Sequence, residues 1–233
     1  MKRAVFVAAI FATAVFAACT GNDRYCPAGD FDITVNNGAV TIARYVGGNT
    51  EVRIPPRIQR LPVTQIGGLS FVNNRLTGVG IPGTVTHIDT AAFAENQLTE
   101  IDLPTGLTHI GALAFSNNRL TGIGIPDSVT FIGTGAFVNN RLTGVAIPAG
   151  VTHIGDWAFE TNLITGINIP GTVLFIGERA FAGNLLAGVV IPDSVTYINL
   201  RAFAYNLLTE VSIPSHTEVH PYAFDPGVTV TRR

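Results

Sequence analysis

Charge is scarce in this sequence. Charged residues occupy 13% of the 233 positions, and lysine occurs only as Lys2. The 14 basic and 16 acidic residues give a net charge of -2. A protein that binds nucleic acid needs an excess of positive charge to neutralise phosphates. We therefore expect no nucleic-acid partner.

Cysteine, methionine and tryptophan are also rare. Two cysteines exclude a scaffold held by several disulfides, and one Met and one Trp leave the core to Ile, Val, Leu, Ala and Phe. Hydrophobic residues reach 47%, which excludes a disordered chain. The 25 glycines and 13 prolines together exceed the usual share and predict many tight turns.

The sequence motifs of common enzyme classes are missing. There is no G-x-x-x-x-G-K-[ST] phosphate loop, no G-x-S-x-G nucleophile turn, no H-E-x-x-H and no pair of C-x-x-C motifs. We therefore expect a protein without catalytic activity and without a cofactor.

The first segment has the pattern of an export signal over residues 1–18. Two basic residues precede an apolar run of 15 residues, which is shorter than the roughly 20 residues of a membrane span. The sequence Phe-Ala-Ala-Cys ending at Cys19 resembles a bacterial lipobox, although Leu is usual where Phe16 stands. This resemblance implies cleavage before Cys19 and lipidation of that residue. The alternative is secretion without lipid, with Cys19 and Cys26 free or joined in a short disulfide loop.

An internal repeat dominates the rest of the chain. The same residue types return every 22 positions from about Val63 to Phe224. The columns are Ile-Pro or Leu-Pro beginning at 81, 103, 125, 147, 169, 191 and 213, Asn at 74, 96, 118, 140, 162, 184 and 206, and Phe at 71, 93, 115, 137, 159, 181 and 203. A unit this short cannot bury its own apolar side, so it must stack on its neighbours to form a solenoid.

Each repeat contains two candidate strands. Val79 and Ile81 alternate with Gly80, and Thr86 and Ile88 alternate with His87, which is the period of a β-strand. The Ala-Phe pair that follows predicts a short helical or 3₁₀ turn, with the Phe column filling the interior. The Asn column is expected to bond backbone groups of the adjacent turn in a ladder. The predicted fold class is thus a β-rich α/β solenoid of 22-residue coils.

The repeat pattern of Asn, Leu, Val, Ile-Pro, Val, Thr, Ile-Gly and Ala-Phe resembles the bacterial BspA-like leucine-rich repeats, also called the treponemal class. The resemblance implies a right-handed leucine-rich repeat solenoid with an N-terminal β-hairpin cap, since Asn37-Gly38 lies between two alternating runs. Many members have Cys in place of the Asn and a longer unit. The domain boundaries that we predict are a signal at 1–18, a tether at 19–30, the cap at 31–62, the repeats at 63–224 and a C-terminal tail or cap at 225–233.

One outer strand position combines aromatic and imidazole rings. By alternation it faces away from the core, and exposed rings in a row are typical of a surface that binds protein or stacks on sugar. The ring column consists of His87, His109, Phe131, His153, Phe175 and Tyr197, preceded by Gln65. The alternative is that rings merely stabilise neighbouring strands. Two imidazoles about 5 Å apart could bind a metal, but the column offers no third ligand in the next repeat, so we expect none.

A second column changes character halfway along the chain. It reads Arg75, Gln97, Arg119 and Arg141, and then Leu163, Leu185 and Leu207. These three leucines precede the buried Leu or Ile of their repeats and are candidates for an exposed apolar stripe. Such a stripe is typical of a contact between copies of a chain or of a shielded edge.

The resemblance implies attachment rather than a reaction. We expect an exported, lipid-anchored module or adhesin at the bacterial cell surface that binds a protein, such as a host matrix or plasma protein, and that touches the membrane only through its lipid. The alternative is a periplasmic scaffold lipoprotein without a host role. A homo-oligomer is compatible with either.

Overall fold

The computed structural model describes residues 25–233. The signal predicted over residues 1–18 and the lipidation predicted at Cys19 lie outside this part. Within residues 25–233, no helix is long and apolar enough to cross a membrane.

The described chain opens with an antiparallel hairpin of β1 (Phe31–Asn36) and β2 (Ala39–Tyr45). The turn residues Asn37 and Gly38 both have positive φ, at 51° and 76°. This is the geometry of the two-residue turns that match the twist of paired strands, and Asn-Gly favours it. The predicted hairpin cap is therefore confirmed.

The cap continues through β3 (Glu51–Arg53), β4 (Arg57–Ile58) and β5 (Leu61–Ile66). Strand β5 lies parallel to β2 and carries the sheet into the first repeat. The segment predicted as a tether is docked from Cys26 onward. The Cys26 amide donates to the Arg53 carbonyl at 2.9 Å, and Arg53 N–H donates to the Cys26 sulfur at 3.3 Å. A 3₁₀ turn then spans Ala28–Asp30.

The repeats contribute short strands of two to four residues. In chain order they are β6 (Gly78–Gly80), β7 (His87–Ile88), β8 (His109–Ile110), β9 (Phe131–Ile132), β10 (Gly144–Ala146), β11 (His153–Ile154), β12 (Gly166–Asn168), β13 (Phe175–Ile176), β14 (Tyr197–Ile198), β15 (Glu210–Ile213), β16 (Glu218–Val219) and β17 (Thr229–Arg232). Strands β5, β7, β8 and β9 pair in parallel, and so do β11, β13, β14 and β16. This parallel stacking of like positions confirms the solenoid.

A column of stacked phenylalanines forms the centre of the core. The seven Phe rings from Phe71 to Phe203 are fully buried, and neighbouring centroids lie 4.9 to 5.5 Å apart. Phe31 and Tyr45 of the hairpin continue the stack at one end, and Phe224 continues it at the other. The cap and the last coil therefore close the apolar interior.

The turn at the Ala-Phe pair differs from the prediction. We expected a helical or 3₁₀ turn, but within the described residues the only 3₁₀ helix is Ala28–Asp30. In the turn around Phe93, the amides of Ala92 and Ala94 donate to carbonyls three residues earlier, and Ala91, which belongs to both turns, has φ 53°. A left-handed residue interrupts a right-handed helix, so the corner is built from consecutive tight turns.

The Asn column forms the predicted ladder, here shown for Asn96. Its Oδ1 accepts the amide of Leu76 in the preceding coil at 2.9 Å, and its Nδ2 donates to the carbonyls of Phe71 and Phe93 at 2.8 and 3.0 Å. One side chain thus satisfies backbone groups in two coils, where no strand partner reaches them.

Candidate binding surface

The ring column lies on the outer side of the short parallel strands. Its members pair in register along two stretches, from Gln65 to Phe131 and from His153 to Tyr197, which pairs with Glu218. The neighbouring Ile positions are at most 2% exposed, as at Ile88 and Ile132, whereas Phe131 is 52% exposed. His109 and His153 are exposed too, and the other three rings are half-buried. The predicted outward direction of this column is confirmed.

The rings form two separate blocks. In the first block His87 stacks on His109, with centroids 4.5 Å apart and planes 13° apart, and His109 lies 6.0 Å from Phe131. The second block consists of His153, Phe175 and Tyr197, with centroid distances of 6.1 and 5.5 Å. The surface thus carries two aromatic ridges of three rings each.

The division between the blocks coincides with a break in the backbone ladder. Strands β9 and β11 belong to different sheets. At the neighbouring steps, Gly133 and Gly177 donate their amides to Ile110 and Ile154 at 2.8 and 2.9 Å. No corresponding bond from Gly155 to Ile132 forms in the described part of the chain. We call this interruption of the ladder between β9 and β11 the seam.

A hydroxyl group orients each imidazole on the surface. Thr86, Thr108 and Thr152 place their Oγ1 atoms 2.8, 2.8 and 2.9 Å from the Nδ1 of the following His. Among residues 25–233 no three side chains of His, Cys, Asp or Glu come together as a metal site.

A shallow groove of about 370 Å³ runs beside the first ring block. It combines aromatic and imidazole rings, a carboxylate, a hydroxyl and glycine backbone. The lining residues are Gly68, His87, Ile88, Asp89, Thr90, His109, Gly111 and Phe131. The Asp89 carboxylate accepts a hydrogen bond from Gln65 Nε2 at 2.6 Å. Sequence patterns identified the rings but missed this carboxylate, because Asp89 stands in a column that is otherwise mostly glycine.

The predicted apolar stripe is exposed. Leu163, Leu185 and Leu207 are 44%, 40% and 60% accessible, and the same column in the first half carries Arg75, Gln97, Arg119 and Arg141. This column lies beside the Asn ladder, away from the ring strands. The structure therefore contains two candidate surfaces that substitution can separate.

A third set of exposed apolar side chains was not predicted from the sequence. Leu69, Leu113 and Trp157 share one column, are exposed and have left-handed backbones with φ between 56° and 61°. The two intervening positions hold Ala91 and Gly135, and a Cβ at Gly135 would lie 2.7 Å from the Leu113 side chain. The alternation of large and small residues in this column is the sequence signal that could have revealed it.

The repeats match the model of the BspA type Leucine rich repeat region in six copies, over residues 33–143, 64–187 and 114–228. Among solved structures, a leucine-rich repeat protein of T. pallidum is 27% identical with a TM-score of 0.67, over 78% of this chain and 89% of that one. A leucine-rich cell surface protein of Faecalibacterium prausnitzii is 23% identical with a TM-score of 0.57, over 92% and 78%. No curated protein matches. Because the family model covers most of the chain, this protein belongs to the BspA-type leucine-rich repeat family.

Proposed function

We propose that this chain is an exported, non-catalytic module that binds a protein through its ring column. The carrying observation is that the rings of six successive repeats project outward at the same strand position, with half-exposed Phe131 near the middle. Aromatic rings supply large contact area at small cost in conformational entropy, and they dominate the binding energy of many interfaces.

The ring column is not part of the buried core, which favours a role in binding. The core is complete without it, because the Phe stack and the Ile positions on the opposite side of the same strands are already buried. A solenoid presents such side chains at a regular spacing along an extended surface, which suits a partner of similar extent.

The test compares the two candidate surfaces in one experiment. The mature chain is immobilised as wild type, as the double variant Phe131→Ser and Phe175→Ser, and as the matched control Leu163→Ser and Leu185→Ser. Partner proteins that the wild type captures should bind the ring variant more weakly, by more than about 2 kcal/mol of binding free energy. This is the usual threshold of a hot spot. The stripe variant should bind as the wild type does.

Both variants must first unfold in a single cooperative transition. If capture is unchanged in the ring variant and lost in the stripe variant, the contact surface is the leucine stripe and the proposal is wrong. Sedimentation of the stripe variant then shows whether that surface joins two copies of this chain.

We also propose that the protein is held at a membrane by a lipid on Cys19, as the lipobox resemblance implies. The competing state is a short disulfide loop between Cys19 and Cys26, the two cysteines of the sequence. A disulfide and a lipid thioether at Cys19 exclude each other. Both states are typical of an exported protein, since disulfides persist outside the reducing cytosol.

The mass of the mature protein and its labelling distinguish the two states. With an anchor, palmitate labels the wild type, and Cys19→Ala abolishes the label and releases the protein from membranes, whereas Cys26→Ala does neither. An unlabelled mature chain that loses two hydrogens on oxidation would instead identify the disulfide. Protease treatment of intact cells then decides location, because a periplasmic scaffold survives it and a surface adhesin does not.

A further inference from the structure

The groove beside the first ring block contains a negative charge that no cation of the described chain neutralises. Asp89 is half-buried in this groove. The described ion pairs join Arg44 to Asp32, Arg179 to Glu160 and Arg233 to Asp193, and none involves Asp89. A carboxylate held in this way is complementary to a cation that arrives from outside.

A short hydrogen-bond relay fixes the direction of this carboxylate. Thr41 Oγ1, in the hairpin cap, donates to Gln65 Oε1 at 3.3 Å. This bond turns the Gln65 amide so that its Nε2 donates to Asp89 Oδ2 at 2.6 Å. One carboxylate oxygen is thereby tied to the protein, while Oδ1 keeps its acceptor capacity.

The position of Asp89 is one of the few in its column that admits a side chain. The next four repeats place Gly111, Gly133, Gly155 and Gly177 there, and a Cβ at any of these would approach the preceding coil to between 2.5 and 3.0 Å. The coil before Asp89 has Gly67 and Gly68 at its own corner, and Gly68 lines the groove. The groove is therefore specific to the start of the repeat array.

The rings of the first block also line the groove. His87 and His109 stack nearly parallel at 4.5 Å and so cover one face of each other, whereas Phe131 lies 6.0 Å from His109 at a tilt of 34° and is 52% exposed. A cation near the face of an aromatic ring gains electrostatic attraction, and a guanidinium group adds planar stacking. An ammonium group would meet the carboxylate as a point charge and would gain less from the rings.

From this arrangement we propose that the groove is a subsite for the guanidinium group of an exposed arginine on the partner protein. The guanidinium packs against the rings that line the groove and donates to Asp89. This inference rests on the proposed function, since it supplies the chemistry by which the ring surface recognises its protein partner. It assigns Asp89 as the specificity residue and Gln65 and Thr41 as positioning residues.

The test uses a small probe whose charge can be removed without changing its shape. The mature chain, labelled with ¹⁵N, is titrated with the peptide acetyl-Gly-Arg-Gly-amide and with the same peptide carrying citrulline, the neutral analogue of arginine. We expect the arginine peptide to shift the amide signals of His87, His109 and Asp89. Citrulline should bind at least about tenfold more weakly, since one charge-assisted contact is worth about 1.4 kcal/mol or more.

Two variants test whether the charge of Asp89 binds the arginine peptide. Asp89→Asn keeps an acceptor for Gln65 but removes the charge, and it should weaken binding of the arginine peptide about tenfold. The matched control is Asp127→Asn, at an exposed Asp outside the groove, which should bind the peptide as the wild type does. Equal binding of the arginine and citrulline peptides, or an unaltered affinity in Asp89→Asn, would overturn the proposal.

The failure of this subsite is distinguishable from failure of the proposed function. If Asp89→Asn captures the partner protein normally while the variant with Phe131→Ser and Phe175→Ser does not, the ring surface binds without an arginine in the groove. If neither variant loses the partner, the ring column is not the contact surface.

Discussion

At the scale of the residue, one buried amide per repeat connects each coil to the one before it. Asn140 accepts the amide of Leu120 at 3.0 Å and donates to the carbonyls of Phe115 and Phe137 at 2.9 and 3.2 Å. Both ends of the side chain are used. A carboxylate of the same size could only accept, and an apolar residue would make none of these bonds.

Replacing Asn140 by Ala should therefore destabilise the protein. The change leaves a buried N–H and two carbonyls without this partner, and each buried unsatisfied group costs about 1 to 3 kcal/mol. We expect a loss of about 3 kcal/mol in the free energy of unfolding, measured by urea denaturation. Asn168→Ala, at an exposed position of β12, is the control and should change stability by less than about 0.5 kcal/mol. Equal effects of the two changes would refute the role of the ladder.

A substitution at Ser70 is expected to stabilise the protein, in contrast to the change at Asn140. It is 1% exposed, and its hydroxyl has no hydrogen-bond partner within the described structure. The following six repeats have Ala in the same column, from Ala92 to Ala202. Ser70→Ala removes an unsatisfied buried group without changing the backbone, so it should raise the free energy of unfolding by about 1 kcal/mol. A variant that is less stable than the wild type would show that the hydroxyl has a partner.

Sequence columns predict residue roles well where the chemistry is the same in every repeat. The Phe and Asn columns fall in this class. The left-handed corner positions do not, because Leu69, Ala91, Trp157 and Arg179 occupy them in place of the usual glycine. Backbone conformation at these positions is set by the tight stacking of coils. The intrinsic conformational preference of each residue therefore does not predict it.

At the scale of the element, alternation predicted the strands that carry the ring column. A strand of two residues is enough here, since β7, β8, β13 and β14 each pair on both sides within their sheets. The seam at β9 and β11 could not be predicted, because the side-chain columns pass through it without change: Phe131 and His153 are both rings, and Ile132 and Ile154 are both buried. The difference lies in the backbone, where the Gly155 amide lacks the bond to the preceding coil that Gly133 and Gly177 form.

The seam should be visible in amide hydrogen exchange. Gly155 lacks the bond across the ladder that Gly133 and Gly177 form in the coils on either side. Exchange protection follows local hydrogen bonding and opening. We expect the Gly155 amide to exchange faster than both of these glycines by about tenfold or more under native conditions. Equal protection of the three amides would mean that the ladder is continuous in solution.

At the scale of the whole molecule, stability is a sum over coils and the contacts between them. Each coil touches only its neighbours, as expected for a solenoid, and the apolar ends are covered by the hairpin and by the C-terminal strand β17. At that end Arg233 donates to the Ile191 carbonyl at 2.7 Å and pairs with Asp193 at 2.9 Å. An interior coil is therefore stabilised by contacts with two neighbouring coils, and an end coil by contacts with one.

This asymmetry predicts different costs for one chemical change at two places in the Phe stack. Phe137 is fully buried between Phe115 and Phe159, with centroids 5.5 and 5.4 Å away, whereas Phe224 is 9% exposed and has one ring neighbour, Phe203, at 5.5 Å. Phe137→Ala should cost about 3 to 5 kcal/mol, the range for a buried Phe. Phe224→Ala should cost clearly less, because the last coil can rearrange around the missing ring. Urea denaturation of both variants measures the difference, and equal losses would contradict a stack whose ends are weaker than its middle.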